Sequence, residues 1–489
     1  MSGLAGLASL GSRGRSLRGD SVTMAAQGHR FDPTILREYD IRGIVGRSLT
    51  PSDALALGRT LGTIAAAGSG RVAVVGYDGR MSSTVLEEEL CRGLAACGLY
   101  VLRIGLVPTP CLYFTARMLN AELGVMVTGS HNPPEYNGFK MVVGGKPFYG
   151  EDIKRLRDLA SRGVWARAEG GVVEVDAMSA YVARVAIDYT SKRALRVGWD
   201  AGNGSAGPAL LRVARRLKGE HLLLNETVDG SFPNHHPDPT VPANLEQLRD
   251  LVLEESLDLG IAFDGDGDRL GVIDDEGEII WGDQLLAILA REVLKRHPGA
   301  PVLADVKASQ VLFDEIERLG GKPIMCPTGH SIIKSMMSTH QAPLAGEMSG
   351  HIFIADRYYG YDDALYAAVR LINYLAEQKV KLSDLRKSLP QVINTPEVRI
   401  EVPEERKFDI VKEVKQRVLA SGAEVNQIDG VRVKTAEGWW LLRASNTQNA
   451  LVARCESHDE AGLAVLKKSV ADQLQQSGVE GDAVKDLSV

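Results

Sequence analysis

The sequence predicts an α/β protein in which three similar domains follow one another and a smaller α+β domain completes the chain. The first observation is an alternation of short apolar strand patterns with amphipathic helix patterns, which is typical of layered α/β sheets. The second is that this alternation occurs three times, each time ending in a polar loop. The third is a change near Thr395, after which the strand patterns alternate like half-exposed strands. A chain of 489 residues has room for three or four domains.

Composition and charge exclude several classes of protein. Hydrophobic residues form 44% of the chain and charged residues 24%, which is ordinary for a globular protein. A net charge of −7 argues against a general nucleic-acid-binding protein, and no apolar run approaches the roughly 20 residues of a membrane span. The five cysteines are scattered and lack metal-ligand pairing, which fits a reducing compartment. We therefore expect a cytoplasmic protein with no nucleic-acid or membrane partner.

Residues 1–30 differ from the rest of the chain. They are rich in Gly, Ser, Ala and Arg and contain a single acidic residue, Asp20. They lack the continuous apolar core of a secretory signal, although an organellar transit peptide would share their composition. We interpret them as a disordered extension, or as the result of a mis-assigned start upstream of Met24. The folded part is expected to begin near Phe31.

Three rounds of strands and helices are predicted in residues 31–390. Each round runs strand, acid-bearing turn, helix, strand, helix, strand and polar loop. The predicted strands are 72–75, 100–104, 123–127, 195–199, 221–224, 259–263, 302–304, 323–325 and 343–345. The acid-bearing turns contain Asp78, Asp200 and Asp305. The predicted domain limits are 31–176, 177–278, 279–390 and, for the last domain, 391–480.

The two ends of the folded part have their own patterns. The segment 37–43, REYDIRG, precedes the first regular elements and is interpreted as a surface loop. In the last domain an amphipathic helix is predicted at 408–419, and residues after about 476 are expected to form a frayed tail. The strands predicted there are 398–402, 431–434 and 440–442, with the loop 443–449 closing the sheet.

The loop after the third predicted strand, residues 128–140, carries the most chemistry. Its prolines forbid a helix start, and Asn137-Gly138 is interpreted as a second tight bend. In open α/β sheets, active sites usually lie on such loops at the ends of buried strands. The loop holds three reactive groups: the hydroxyl of Ser130, the imidazole of His131 and the ammonium group of Lys140.

Three aspartates alternate with glycine in the last loop of the second round: Asp264, Asp266 and Asp268. Such a hard, all-oxygen cluster on a flexible backbone suits Mg²⁺. An EF-hand would require glycine at loop position six and glutamate at position twelve, where this chain has Arg269 and Asp275. Three mutually repelling carboxylates are unfavourable without a cation, so the sequence predicts a Mg²⁺ site.

Two further loops carry groups suited to a sugar phosphate. Glu347 and Ser349 lie on one side of a glycine-flanked segment and can bracket vicinal hydroxyls of a sugar. A second loop offers a cationic fork, hydroxyls and an amide, which can grip a phosphate without cleaving it. Its residues are Arg443, Ser445, Asn446 and Thr447. Together with the loop hydroxyl and the metal site, these loops indicate phosphoryl transfer on a phosphosugar.

Two other patterns resemble a catalytic motif or a metal-binding motif that the sequence does not support. Ser130 and His131 are not a hydrolase dyad, because adjacent residues on an extended loop point to opposite sides and the G-x-S-x-G elbow is missing from the sequence. The segment 234–239, NHHPDP, is interpreted as a stiff connection rather than a metal site, because it contains two prolines.

Five motifs resemble those of the α-D-phosphohexomutase family, most closely its bacterial phosphomannomutase/phosphoglucomutase members. They are YDIRG at 39–43, TGSHNPPEYNGFK at 128–140, DGDGDR at 264–269, GEMSGH at 346–351 and RASNT at 443–447. The resemblance covers about residues 31–475, and the chain departs from it at Gln448-Asn449, where Thr-Pro is expected. It implies four domains around a central cleft. It also implies an enzyme that interconverts hexose 1-phosphates and hexose 6-phosphates through a phosphoserine and a hexose 1,6-bisphosphate that reorients.

Motif positions that match imply a role for each residue. Ser130 would be the phosphoserine, and glucose 1,6-bisphosphate would be the activator that primes it. One Mg²⁺ would be bound by Ser130, Asp264, Asp266 and Asp268. The reacting end would be lined by Arg42, His131, Lys140, Arg269 and His351. Substrate contacts would come from Tyr39, Lys307, Gly329, His330, Glu347, Ser349, Arg443, Ser445, Asn446 and Thr447. The partners would be small hexose phosphates, bound by a monomer or a weak homodimer.

Three alternative functions stay open on the sequence alone. FDGDGD superficially resembles an aspartyl-phosphate motif, so Asp264 could be the nucleophile of a metal-dependent phosphatase. A non-enzymatic sugar-phosphate-binding protein would not require the three aspartates. Phosphoglucosamine mutase is the neighbouring activity, against which Met348 argues by resemblance. The general base is open between His351 and Lys140.

Overall fold

The structure, a computed structural model, describes residues 28–68, 70–445 and 449–488. The predicted N-terminal extension therefore lies almost entirely outside the described residues. At its end, Nε2 of His29 lies 2.7 Å from Oδ1 of Asp53, and the backbone N–H of His29 donates to the carbonyl of Ala160 at 2.9 Å. The part of the chain that precedes Phe31 thus already contacts the first domain. The predicted domain limits stay predictions.

The first domain is built on a mixed sheet with two cores. Its elements are β1 Ile41–Ile44, α1 Pro51–Ala66, β2 Val72–Tyr77, α2 Ser83–Ala95, β3 Tyr100–Leu106, α3 Thr109–Met118, β4 Leu123–Val127, β5 Tyr136–Val143, β6 Lys146–Pro147, α4 Glu151–Arg162 and β7 Gly171–Glu174. The strand order is β1-β5-β4-β2-β3-β7, with β6 paired to β5. Ala73 and Val75 of β2 pack in the core that contains α1 and α2, whereas Val74 between them packs in the core that contains α3. This alternation fixes the register of the sheet.

The second and third domains repeat the same type of sheet. The second contains α5 Met178–Ala186, β8 Leu195–Asp200, α6 Gly207–Ala214, β9 Gly219–Leu224, α7 Glu246–Glu254, β10 Leu259–Phe263, β11 Leu270–Asp274 and β12 Ile279–Ile280, in the order β12-β11-β10-β8-β9. The third contains α8 Gly282–Arg296, β13 Pro301–Asp305, α9 Gln310–Arg318, β14 Lys322–Cys326, α10 His330–His340, β15 Leu344–Gly346, β16 Ile352–Ile354, α11 Ala364–Gln378 and α12 Leu382–Lys387, in the order β14-β13-β15-β16.

The last domain is an antiparallel sheet with helices, as the change of pattern near Thr395 predicts. Its elements are β17 Ile393–Asn394, β18 Val398–Glu401, α13 Lys407–Ala420, β19 Glu424–Asn426, β20 Val431–Lys434, β21 Gly438–Ala444, β22 Ala450–Ser457, α14 Glu460–Gln476 and α15 Asp482–Ser488. The strand order is β17-β22-β21-β20-β19, and β18 also pairs with β22. The predicted frayed tail is wrong, because α15 buries Val484 and Leu487 in the core of this domain.

The first three domains share one arrangement, which confirms the predicted fold class. The central strands β2, β8 and β13 each run parallel to both of their neighbours. The last of the three predicted strands in each domain then connects to an antiparallel strand: β4 to β5, β10 to β11 and β15 to β16. In each case the connecting loop carries predicted site residues. The fold therefore repeats one way of presenting a loop at a sheet edge.

The antiparallel strand β5 corrects the sequence analysis. The predicted bend at Asn137-Gly138 is wrong, because both residues lie inside this strand, and so does Lys140. Gly138 pairs with Arg42 of β1, and a Cβ on Gly138 would lie 2.0 Å from the carbonyl oxygen of Ile41. The glycine is thus required by a close approach of two strands and not by a turn. The prediction of a surface loop at 37–43 is also incomplete, because β1 begins within this segment.

Two further findings concern the predicted class of protein. No helix in the described part of the chain combines the length and the apolar character needed to cross a bilayer. All five cysteines are buried free thiols.

Candidate active site

Ser130 lies in the loop that follows β4. Its backbone is left-handed, with φ of +49°. The extended loop conformation that the sequence predicted for this residue is therefore wrong. The side chain is buried, and its Oγ donates a hydrogen bond of 3.0 Å to Oδ2 of Asp264 in the second domain. The turn therefore directs a hydroxyl of the first domain at the acidic loop of the second.

His131 is engaged with the second domain. Its Nδ1 lies 2.9 Å from Oδ2 of Asp238. Burial, reinforced by the charge of Arg269, lowers the pKa of His131 to about 4, so the imidazole is neutral at neutral pH and holds its proton on Nδ1. Asp238 belongs to the segment 234–239, which therefore connects two domains. Among the described residues, neither group whose ligand atoms could hold a metal includes a residue of this segment.

The three aspartates of the acidic loop form one buried cluster. One carboxylate oxygen from each of Asp264, Asp266 and Asp268 lies within 4.8 Å of the others. Oδ1 of Asp264 accepts the backbone N–H groups of Asp268 and Arg269, both at 3.1 Å. Oδ1 of Asp266 and Oδ1 of Asp268 are buried without a hydrogen-bond partner among the described residues. An all-oxygen site with unsatisfied carboxylate oxygens fits a divalent cation such as Mg²⁺.

Lys140 reaches this cluster from β5. Its Nζ donates to Oδ2 of Asp266 at 2.7 Å and also to Asp268. Burial alone would lower the pKa of Lys140, but Asp266 and Asp268 outweigh burial and raise it, so the side chain is an ammonium group. Burial and the two neighbouring carboxylates raise the pKa of Asp264. A bound cation would offset the cost of keeping the buried Asp264 carboxylate charged beside two other carboxylates.

A second group of buried residues has the composition of a metal site but not its chemistry. Asp268, His351 and Asp362 also bring their ligand atoms within 4.8 Å of one another. However, Nε of Arg269 donates a hydrogen bond of 2.9 Å to Nε2 of His351, which requires a lone pair on Nε2. In a neutral imidazole the proton is then on Nδ1, the atom that faces Asp268 and Asp362. Nδ1 of His351 therefore presents an N–H to the two carboxylates instead of the lone pair that a metal ligand needs. The role of His351 at the reacting end stays a prediction.

The loop between β15 and β16 lies beside a turn that precedes α10. Oε1 of Glu347 accepts the backbone N–H of Gly329 at 2.7 Å. Ser349 is half-buried two residues further on. The ring of His330 stacks on that of His351, with the centroids 5.5 Å apart. The structure thus brings the predicted sugar-binding residues together with one predicted residue of the reacting end.

Tyr39 connects the first domain to this region. Its hydroxyl donates to the carbonyl of Thr328 at 2.7 Å. Gly329 has φ of +130°, and a Cβ on it would lie 2.6 Å from Cζ of Tyr39, so only glycine fits there. Arg42, three residues after Tyr39, donates to the carbonyl of Gly129 at 2.9 Å and therefore supports the Ser130 loop.

The predicted phosphate loop is described only in part. Arg443 is buried at the end of β21, and its Nε donates to Oδ2 of Asp429 at 3.0 Å. The backbone N–H of Ser445 donates to the carbonyl of Ala450 at 2.9 Å, which closes the β21–β22 connection. The predictions for Asn446 and Thr447 lie outside the described residues.

Lys307 of the third domain contacts the last domain. Its Nζ donates a hydrogen bond of 2.5 Å to Oε1 of Glu397.

The sequence matches one family over most of its length. The phosphoglucomutase/phosphomannomutase alpha/beta/alpha domains I, II and III match residues 33–166, 175–277 and 281–393, and the C-terminal domain of that family matches 397–473. The chain belongs to the phosphoglucomutase/phosphomannomutase family. The family resemblance seen in the motifs is thereby confirmed.

Relatives of the whole chain agree with this family. A phosphomannomutase/phosphoglucomutase of Pseudomonas aeruginosa is 42% identical over 442 residues, which cover 90% of this chain and 96% of that protein. A phosphoglucomutase of Neisseria gonorrhoeae is 43% identical over 434 residues, which cover 88% and 94%. The crystal structure of a phosphoglucomutase/phosphomannomutase family protein from Burkholderia thailandensis superposes with a TM-score of 0.87 at 38% identity, over 92% of this chain and 99% of that one.

In this member of the family, Asp78 and Arg80 hold the Ser130 loop, a role that sequence reasoning missed. Nη2 of Arg80 donates to the carbonyls of Ser130 and Asn132 at 2.8 and 2.6 Å, and Nη1 donates to two further carbonyls of the same loop. Asp78 accepts from Thr128 Oγ1 at 2.8 Å and from the N–H of Gly129 at 3.0 Å. The sequence contains a signal for the role of Asp78, because the acid-bearing turn recurs in all three tandem domains. Its equivalents Asp200 and Asp305 likewise accept backbone N–H groups.

Asp362 is a second residue that the sequence analysis missed. It is fully buried, accepts from Nζ of Lys334 at 2.9 Å, and lies 3.3 Å from Nδ1 of His330 and 3.2 Å from Nδ1 of His351. The carboxylate of Asp362 therefore contacts both histidine rings. The sequence offers no signal for this role, because Asp362 and Asp363 precede α11 together and only Asp363 caps that helix.

Proposed function

We propose that this protein interconverts the 1-phosphates and 6-phosphates of glucose and mannose, through phosphorylated Ser130 and a hexose 1,6-bisphosphate that reorients in the cleft. The observation that carries the proposal is the hydrogen bond of 3.0 Å from Ser130 Oγ to Asp264, which sets a hydroxyl of one domain against the acidic cluster of another. The family membership and the names of the relatives support the same two sugars.

The acidic cluster is proposed to hold one Mg²⁺. Asp264, Asp266 and Asp268 would bind it together with phosphorylated Ser130, and the unpartnered buried oxygens of Asp266 and Asp268 support this assignment. When bound, Mg²⁺ would neutralise charge on the transferring phosphoryl group. Glucose 1,6-bisphosphate is proposed as the activator that primes Ser130.

The side chains of this protein would position the reactants and supply positive charge. Phosphoryl transfer depends on in-line placement and on spread-out positive charge more than on covalent chemistry by the protein. Arg42, Lys140 and Arg269 lie around the Ser130 loop and the acidic cluster and supply positive charge there. Glu347 and Ser349 would hold hydroxyls that glucose and mannose share, and Arg443 would hold the phosphate that does not react.

Neither predicted candidate for the general base is ready in the conformation described. Lys140 is an ammonium group that donates to two carboxylates. His351 uses the lone pair of Nε2 to accept a hydrogen bond from Arg269. His351 would therefore accept a proton only after Arg269 has turned towards a phosphoryl group, which links the availability of the base to the arrival of substrate.

The geometry argues against the phosphatase alternative. A nucleophilic aspartate needs a carboxylate oxygen that can approach phosphorus. Both oxygens of Asp264 are engaged, Oδ1 with two backbone N–H groups and Oδ2 with Ser130. Ser130 is the residue that presents a hydroxyl to this centre, so it is the better nucleophile.

The test is a coupled assay with glucose 1-phosphate and mannose 1-phosphate, in the presence of Mg²⁺ and glucose 1,6-bisphosphate. The proposal predicts that both sugars are converted, and that Ser130→Ala loses nearly all turnover but still binds substrate. Ser161→Ala, which alters an exposed serine on α4, is the matched control and should behave like the wild type. Near-normal turnover by Ser130→Ala would overturn the proposal.

A further inference from the structure

Asp429 lies at the contact between the third and fourth domains. It belongs to the turn between β19 and β20, and its side chain is only 15% exposed. Its Oδ2 accepts two hydrogen bonds of 3.0 Å, one from Nε of Arg443 and one from the backbone N–H of Thr328. One carboxylate oxygen thus joins the proposed phosphate-holding arginine to the turn that precedes α10.

That turn is held at two further points. The carbonyl of Thr328 accepts from the hydroxyl of Tyr39 at 2.7 Å. The N–H of the next residue, Gly329, donates to Oε1 of Glu347 at 2.7 Å. The short segment Thr328-Gly329 therefore contacts Tyr39 of the first domain, Glu347 of the third and Asp429 of the fourth.

The turn that carries Asp429 is itself firmly placed. Gly430 has φ of +84°, and a Cβ on it would lie 2.4 Å from the carbonyl oxygen of Leu442 in β21. The side chain of Arg443 is 6% exposed, so the pair with Asp429 is shielded from solvent on both sides. Ion pairs that are fully exposed contribute little, whereas a shielded pair with two donors on one oxygen fixes geometry.

We infer that Asp429 is a positioning residue that sets Arg443 and Glu347 at the spacing of a hexose phosphate. The inference rests on the proposed function, in which Arg443 holds the phosphate and Glu347 the sugar. Asp429 acts on Arg443 directly and on Glu347 through Thr328 and Gly329. Because the same two side chains would receive both orientations of the substrate, Asp429 influences the binding of 1-phosphates and 6-phosphates alike.

Substitution of Asp429 by Ala and by Asn tests this inference. Loss of the carboxylate is expected to raise KM for glucose 1-phosphate and glucose 6-phosphate by about tenfold and to lower kcat by less than about threefold, because the reacting end is untouched. Asp429→Asn keeps the shape of the side chain and one acceptor, so its KM should lie between those of the wild type and Asp429→Ala. Glu424→Gln, on the exposed side of the same hairpin, is the control and should match the wild type.

Two further measurements separate positioning from general damage to the fold. Calorimetric titration of both sugar phosphates in EDTA, which prevents turnover, should show the same loss of affinity as KM does. In a double-mutant cycle, Asp429→Ala combined with Arg443→Ala should cost less affinity than the product of the two single effects, because both changes remove one contact.

The possible outcomes are distinct. Absence of mutase turnover in the wild type would overturn the proposed function, while the calorimetric comparison would still decide the role of Asp429. Wild-type affinity in Asp429→Ala, or single effects that simply multiply in the cycle, would overturn the inference. A fall in the thermal midpoint with unchanged KM would also overturn it, since that result describes a purely structural residue.

Discussion

At the scale of single residues, the position of Ser130 depends on neighbours that turn and hold its backbone. The left-handed backbone at Ser130, with φ of +49°, is uncommon for a residue other than glycine, and the bonds from Arg80 and Asp78 to the loop stabilise it. Gly129 completes the arrangement, because a Cβ there would lie 2.3 Å from the guanidinium carbon of Arg80. The glycine of the TGSH motif is thus explained by the arginine beneath it.

Arg80→Lys tests this support. The guanidinium reaches four carbonyls of the loop, and an ammonium group cannot match that planar fork. We expect kcat to fall by at least about tenfold while KM changes by less than about threefold, because the serine is displaced and the sugar contacts are not. Steady-state kinetics in both directions measures this split.

Arg92→Lys is the control for Arg80→Lys. Arg92 lies on α2 with a side chain that is 64% exposed, so its replacement should leave kcat and KM unchanged. An Arg80→Lys enzyme with the kcat of the wild type would mean that the loop keeps its conformation without the guanidinium.

At the scale of secondary structure, the sequence predicts the strands that lead into the site better than those that leave it. β4 and β10 are buried apolar runs, and their predicted limits, 123–127 and 259–263, are those observed. The strands that follow the loops were missed. In β5, asparagine and glycine suggest a turn, although Asn137 is buried and donates to Ser82 and Ser83. Local turn signals and tertiary packing conflict there, and packing prevails.

Gly138→Ala distinguishes a strand from the predicted bend. In the strand, the new methyl group would lie 2.0 Å from the carbonyl oxygen of Ile41, so we expect a loss of about 1–3 kcal/mol in the free energy of unfolding. Urea denaturation measures this loss. Gly171→Ala in β7 is the control, because its nearest neighbour would be a ring atom of Tyr100 at 3.5 Å. Equal stability of the two variants would contradict the close strand approach.

The connection 234–239 gives a pH-dependent prediction at the same scale. Nε2 of His235 lies 2.8 Å from Oδ2 of Asp200, and this hydrogen bond outweighs burial and raises the pKa of His235. A histidine with a higher pKa in the folded state contributes stability that is complete below its unfolded pKa of about 6.5 and is lost as the pH rises through the folded value.

The free energy of unfolding of the wild type should therefore exceed that of His235→Gln by more at about pH 6 than at about pH 9. Urea denaturation of both proteins at the two pH values checks this difference. The same margin at both pH values would show that the imidazolium does not stabilise the connection.

At the scale of the whole molecule, contacts between domains complete the site. The motifs predicted which loops meet. Each loop carries reactive or binding groups that indicate phosphoryl transfer only when they are taken together with the groups on the other loops. The partners of those loops could not be predicted, since Arg80 and Ser130 are 50 residues apart and Thr328 and Asp429 are 101 apart. Side-chain contacts between domains at the site include Ser130–Asp264, Lys140–Asp266, His131–Asp238 and Arg269–His351.

The central claim is that the phosphoryl group passes through Ser130, and its most direct test is a transfer measurement on the intact protein. The protein is labelled with ³²P from glucose 1,6-bisphosphate, freed of excess label, and mixed with unlabelled glucose 1-phosphate and Mg²⁺. We predict that the label, mapped to the peptide that contains Ser130, leaves the protein and appears in hexose phosphates no more slowly than product forms. Label that stays on the protein while glucose 6-phosphate accumulates would contradict the account.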